Sequence, residues 1–224
     1  MSDLSIDVTN NQIVVIVGPN GSGKSTLLKT IAGLASIFSG SIELDGLKIT
    51  GMPAHTIAKM GLAYLPQTDS TFAHLTVLEN LRMSGYTVRR EDFDSRLKSG
   101  LDMFPQLSSY LNSKVLNLSG GERQMVAMTM ALIRKPKVIM FDEPTANLSP
   151  KLATEVLKKV AELPATLGLT VVLVEQNAKK ALEIGDRAYL LVSGKKAFEG
   201  SAKELLEHEE LSRMYLGLKK TEAT

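Results

Sequence analysis

The chain has 224 residues, 44% of them hydrophobic and 22% charged, so it can bury a substantial core and is neither disordered nor fibrous in composition. Its 26 basic and 24 acidic side chains leave a formal charge of +2, too near balance to argue for a nucleic-acid partner, and the lack of cysteine excludes disulfides and thiolate metal sites. The start, with Asp3 and Asp7 and no long apolar core, does not read as a signal peptide, and the apolar runs at 13–17, 138–141 and 169–174 are far too short to span a membrane. Work at a membrane is therefore expected to go through a partner.

In chain order, residues 13–17 are a continuous, β-branched apolar run and predict a buried parallel strand. A glycine-rich stretch, 18–24, leads into a predicted helix over 25–32 that ends near Gly33, and 41–46 alternates and turns like a hairpin edge. From 72 to 116 the chain is richer in charge and helix formers, with Leu75, Leu78, Leu81, Leu97, Leu101, Phe104 and Leu107 at partly helical spacing. We read 72–116 as a helical subdomain inserted into one domain, 1–224, whose core is 1–71 and 117–224; the plainer reading is a set of peripheral helices. Helices follow at 122–133 and 152–163, a strand at 138–141 and another at 169–174. A short helix at 178–184, a strand at 188–192 and a helical region at 202–216 complete the pattern, with a terminal KKTEAT expected to fray. Strand–helix alternation in both outer thirds makes an α/β sheet covered by helices.

Gly18-Pro19-Asn20-Gly21-Ser22-Gly23-Lys24-Ser25 matches G-x-x-x-x-G-K-[ST] between a strand and a helix, the context that a phosphate-binding loop requires. Its backbone N–H groups and the helix dipole attract phosphate oxygens. Lys24 is expected at the β- and γ-phosphates, Ser25 on Mg²⁺ and Thr26 toward the α-phosphate. The second strand ends in Asp142, the expected metal partner, and then Glu143, placed to face an attacking water. Two adjacent acids at the end of a buried strand are otherwise costly to desolvate. These motifs alone define a P-loop ATPase or GTPase.

Leu118-Ser119-Gly120-Gly121-Glu122-Arg123-Gln124 resembles the signature motif of ATP-binding cassette (ABC) proteins, in the family's order relative to the acid-ended strand. The resemblance spans Asp3 to about Gly217. It implies a P-loop NTPase core with an N-terminal antiparallel β portion and an inserted helical subdomain that extends through the signature helix, 118–133. It also implies roles. Gln67 would touch Mg²⁺ and the attacking water, and Glu143 would be the catalytic base. Leu118, Ser119, Gly120, Gly121 and Glu122 would cap ATP held by a second subunit. Residues 146–150 would communicate across the dimer, with Leu148-Ser149 in place of the usual Leu-Asp. The signature also has its own logic: a second anion cradle on one molecule makes sense if two molecules sandwich two ATPs head to tail.

Two features depart from the family. Gln176, in Val174-Glu175-Gln176-Asn177, stands where most members have a histidine at the γ-phosphate, so a hydrogen-bond donor without titratable charge replaces it; the plainer reading is a residue that merely ends a strand. No aromatic residue precedes Ile13 to stack on adenine, which leaves three readings open: another residue holds the base, the natural start lies upstream, or base binding is weak. The wording of residues 174–177, 148–150 and 119–125 is most similar to LivF-type ATPase subunits of branched-chain amino-acid importers. That likeness implies ATP and Mg²⁺ as cofactors, and a second ABC ATPase (or a second copy) and two permeases as partners. It further implies an extracytoplasmic binding protein and a place on the cytoplasmic face of the membrane. Branched-chain or other hydrophobic amino acids, or short amides, would be the cargo. Phe72 and His74 would then lie near the permease contact, with the plainer reading for Phe72 a core aromatic; His55 and His74 have no partner at metal-ligand spacing. The competing reading is a soluble ABC ATPase acting in assembly, or as an ATP-driven dimerisation switch, without a permease.

Overall fold

All five side chains of strand β1 (Ile13–Val17) are buried. Because strand side chains alternate, Ile13, Val15 and Val17 enter one apolar cluster while Val14 and Ile16 enter another. The sheet is thus covered on both faces, as its unbroken apolar strands require. The computed structural model describes residues 4–68 and 70–216. Asp3 and the KKTEAT tail, both part of the sequence reading, lie outside these residues.

After β1 come helix α1 (Lys24–Ile31), the antiparallel ribbon β2 (Glu43–Leu44) and β3 (Leu47–Lys48), helix α2 (Ala54–Lys59) and strand β4 (Leu62–Leu65). Helices α3 (Val77–Ser84) and α4 (Arg90–Met103) follow, then two 3-10 turns, Pro105–Tyr110 and Val115–Asn117, and helix α5 (Gly120–Ile133). The last third supplies β5 (Val138–Asp142), α6 (Pro150–Leu167), β6 (Thr170–Val174) and α7 (Ala178–Ile184). It ends with β7 (Arg187–Val192), β8 (Lys195–Ser201), α8 (Ala202–Glu207) and α9 (Glu209–Leu216). One sheet runs β4-β5-β6-β1-β7-β8, parallel except for β8, which pairs antiparallel with β7. The ribbon, α1 and α2 pack on one face; α5, α6, α7 and α8 pack on the other. The chain therefore has the expected α/β core, and the stretch between β4 and β5 is helical.

Several elements differ from the sequence reading. Strands β4 and β8 and helix α2 had no counterpart in it: Ala63 and Tyr64 of β4 are only partly buried, and β8 alternates exposed with half-buried residues at the sheet edge. Helix α5 begins two residues early because Ser119 caps it. Its hydroxyl accepts the Glu122 N–H, and the Glu122 carboxylate accepts the Ser119 N–H at 2.7 Å. Helix α6 starts at Pro150, behind its Ser149 cap, and runs on past Pro164 for one more turn until Gly168 ends it in a left-handed conformation. The Leu-Ser departure in the sequence thus keeps a side chain competent for capping.

Met125 and Met128 are buried with Leu81, Phe104 and Leu107, which joins α3, α5 and the first 3-10 turn. Among the described residues, no helix is long and apolar enough to cross a membrane. Ile16 lies at the centre of the sheet with no exposed surface. Ile16→Ala should therefore cost about 2–5 kcal/mol, read as a fall in the urea unfolding midpoint at an unchanged slope.

Candidate phosphate and metal site

Four parallel neighbours, β4, β5, β6 and β1, bring their carboxyl ends to one rim of the sheet. That rim is where open α/β sheets bind ligands. β1 delivers the glycine-rich loop, β5 delivers Asp142 and Glu143, β6 delivers Glu175 and Gln176, and β4 leads through Pro66 to Gln67.

The loop folds tightly. Gly18 has φ +148°, and a Cβ there would sit 2.0 Å from the Leu191 carbonyl oxygen of β7, so no larger residue fits. Gly23, at φ 101°, turns the chain into α1 without any side-chain cap, which leaves the first helical N–H groups free to meet an anion. Lys24 is buried and lays its ammonium back over the loop, donating to the carbonyls of Gly18 at 2.8 Å and Pro19 at 3.0 Å. Burial pulls Lys24 below the ordinary lysine value, and the carboxylates of Glu143 and Asp142 pull it partly back. The Ser22 hydroxyl is buried without a partner. A cradle with a stranded hydroxyl and a cation facing two acids is chemically suited to a polyphosphate with its counter-ion.

Asp142 has only 4% of its surface exposed, and both its oxygens are engaged. Oδ1 accepts the Ser25 hydroxyl at 2.8 Å, and Oδ2 accepts the Tyr64 hydroxyl at 2.9 Å. Burial and Asp142 together hold the Tyr64 phenol protonated, far above its usual range. Ser25 and Asp142 form a pair of hard oxygen donors, the type that Mg²⁺ takes alongside phosphate oxygens and water. Glu143 adopts φ 52°, which is strained for a residue with a side chain, and is anchored by its N–H to the Val174 carbonyl at 2.9 Å. The Gln67 amide donates to Glu143 Oε2 at 3.1 Å, which joins the segment after β4 to the acid pair.

Gln176 is exposed at the end of β6, and its N–H donates to Glu175 Oε2 at 3.2 Å. Asn177 caps α7. Two side chains with no expected role thus belong to this site, Tyr64 and Glu175. The signal for Glu175 was a carboxylate directly after four buried apolar residues, 171–174. Tyr64 gave none, since a tyrosine inside a short strand is ordinary.

The signature lies at the start of α5, and no hydrogen bond ties Leu118, Ser119, Gly120, Gly121 or Glu122 to the phosphate loop among the described residues. Gly120 and Gly121 instead pass close to Leu148 and Leu152, so a Cβ at either would lie 3.1 Å from a leucine methyl. An aromatic side chain does line the groove beside α1, but it comes from Phe38, after the helix.

The family profile described as ABC transporter matches residues 1–146, well over half of the chain. The chain belongs to the ABC transporter family. This cassette is 54% identical, over 96% of its length and 92% of the relative's, to a probable branched-chain amino acid transport ATP-binding protein, LivF, of Archaeoglobus fulgidus. It is 37% identical, over 97% of its length and 93% of the relative's, to the high-affinity branched-chain amino acid transport ATP-binding protein BraG of Pseudomonas aeruginosa. A solved ATP-binding cassette of an ABC transporter in its ADP conformation superposes with a TM-score of 0.84 at 29% identity, over 94% of this chain and 89% of that one. A dimeric cassette in a post-hydrolysis state, bound to ADP and Pi, superposes at 0.77 with 28% identity over 88% of each chain. The cassette is an ATPase with the ABC form of the P-loop fold, and ATP is its nucleotide.

Of the loop glycines, Gly18 and Gly21 should separate on substitution. Gly18→Ala meets backbone and should abolish binding of a fluorescent ATP analogue. Gly21→Ala meets nothing within 4 Å and should cost only about 1–2 kcal/mol of stability in a denaturant titration.

Proposed function

We propose that this cassette hydrolyses ATP to drive an importer of branched-chain or other hydrophobic amino acids, or of short amides. The observation that carries the proposal is the acid pair at the end of β5: Asp142 bonded to the loop serine, and Glu143 strained forward and held by Gln67. The cargo follows from the likeness to LivF and BraG, whose names state that transport.

On this reading Lys24 leaves the loop carbonyls for the β- and γ-phosphates, while the N–H groups of residues 20–26 and the dipole of α1 hold the rest of the chain of phosphates. Ser25, Asp142 and Gln67 would hold Mg²⁺, which neutralises charge on the phosphate oxygens when bound. Glu143 takes the proton of the water that attacks the γ-phosphate, and Gln67 orients its carboxylate. Gln176 donates to a γ-phosphate oxygen without carrying charge, so the proton duty rests on Glu143.

The signature residues 118–122 would act on ATP held by a second cassette. The dimer seen for the relative bound to ADP and Pi supports that role. We take 72–116 as the helical subdomain that meets the permeases. Phe72 is 52% exposed, with Met83, Tyr86 and Leu116 also exposed on the same subdomain. A partner groove would cover them. Two permeases, an external binding protein and a place on the cytoplasmic face of the membrane complete the assembly.

A tagged Glu143→Gln variant should bind ATP, trap the dimer and turn over at least about a hundredfold more slowly than wild type; rapid turnover would remove Glu143 as base. With ATP it should bring down two multi-span permeases and a second ATPase from detergent-solubilised cells. Recovery of soluble partners alone would overturn the importer. Gln176→His should hold or raise the rate, whereas an unchanged rate and affinity in Gln176→Ala would place residue 176 outside the site.

A further inference from the structure

Glu175 is a buried acid that the proposed mechanism leaves unused. Only 2% of its surface is exposed, and no salt bridge reaches it among the described residues. Its carboxylate is split between two segments. Oε1 accepts the Thr145 N–H at 3.0 Å, and Oε2 accepts the Gln176 N–H at 3.2 Å. One segment is the turn that follows Glu143; the other carries Gln176 at the end of β6. A third bond, from the Glu143 N–H to the Val174 carbonyl at 2.9 Å, closes the same junction.

We propose that Glu175 is a positioning residue for hydrolysis, a two-oxygen clasp that sets Glu143 and Gln176 at a fixed spacing. This rests on the reading of Glu143 and Gln176 as the groups that face the γ-phosphate. The chemistry of the clasp is specific. Two N–H groups on separate segments need two acceptors in one plane, and an ionised carboxylate is the side chain that presents two acceptors and no donor. A glutamine of the same shape would turn an NH₂ against one of the N–H groups. A hydroxyl could reach only one segment.

The arrangement is costly, which argues for a use. Burial pushes the Glu175 carboxyl up, the charge of Glu143 adds to that, and the donors from Thr145 and Gln176 pull it back. An apolar residue in the same volume would avoid the cost but would leave the buried Thr145 N–H and the part-buried Gln176 N–H without this acceptor, and the turn at Glu143 free to relax from φ 52°.

Glu175→Gln separates a clasp from a merely structural acid, measured in whichever assembly, chain alone or with its captured partners, gives wild-type turnover. A clasp predicts that kcat falls at least about tenfold while KM for ATP stays within about threefold. Gln176→Ala is then combined with it: if Glu175 acts through Gln176, the double variant is no slower than the slower single variant. Glu175→Asp keeps the charge but draws the oxygens back by one carbon, so it should lose kcat as well; it carries the test if Glu175→Gln fails to fold. Wild-type kcat in the variants, kcat and KM changing together with a fall in Tm, or multiplicative losses in the double variant would each overturn the clasp. Glu143→Gln run alongside tells the two failures apart, because undiminished turnover in that variant sinks the reading of the site itself.

Discussion

The site depends on parallel register. Strands β4, β5, β6 and β1 are hydrogen-bonded side by side, with Leu65 opposite Phe141, Asp142 opposite Val174, and Ile16 opposite Val174 on the other side. Four strands that point the same way must end at the same rim, and whatever follows each of them must meet there. Gln67, Asp142, Glu175 and the glycine loop are far apart in the sequence and have no other reason to be neighbours. The apolar residues that precede them, buried on both faces, fix that register. A slip by one residue would exchange the two faces of a strand between its two apolar clusters.

Within that frame the polar groups form a connected set, and few of them act alone. Ser25 and Tyr64 hold the two oxygens of Asp142; Gln67 holds Glu143; Glu175 holds the backbone beyond Glu143 and the backbone of Gln176. Each of the acids that follow β5 and β6 therefore has its direction set by a residue on a different strand or loop. This matters because catalysis by electrostatics requires groups that are aimed before the substrate arrives. The strained φ of Glu143 and the buried charge of Glu175 are both local costs, and both lie at this one junction.

Much of this was legible in the sequence, for a definable reason. The phosphate loop, the acid-ended strand and the signature are consecutive residues whose chemistry is local, so their spacing alone carries the meaning. The two-sided core was legible at β1, which is uniformly apolar, and at β6, which is apolar from Val171 to Val174. Strand β4 was not, because Ala63 and Tyr64 are half-buried and the segment is short; β8 was not, because an edge strand with one wet face has little apolar content. Tyr64 and Glu175 escaped because their importance lies in which backbone or side chain they meet across the sheet, which no single stretch of sequence records. The extension of α6 beyond Pro164 was hidden by a residue that usually ends helices, although only the last turn is affected.

The position of β1 has a consequence for how the molecule comes into being. This central strand is made well before its two neighbours in the sheet, β6 and β7: Ile13 pairs with Val171, and Val14 with Arg187. During synthesis the run Ile-Val-Val-Ile-Val emerges long before β6 and β7 exist to pair with it, so the nascent chain carries an unpaired, wholly apolar strand until they follow. The glycine loop cannot take its final shape in that interval, because the carbonyl of Leu191 against which Gly18 packs has not yet been made. The nucleotide pocket thus forms only after β7 has been made, and a chain released before that point by a stop codon exposes a sticky strand and no cradle.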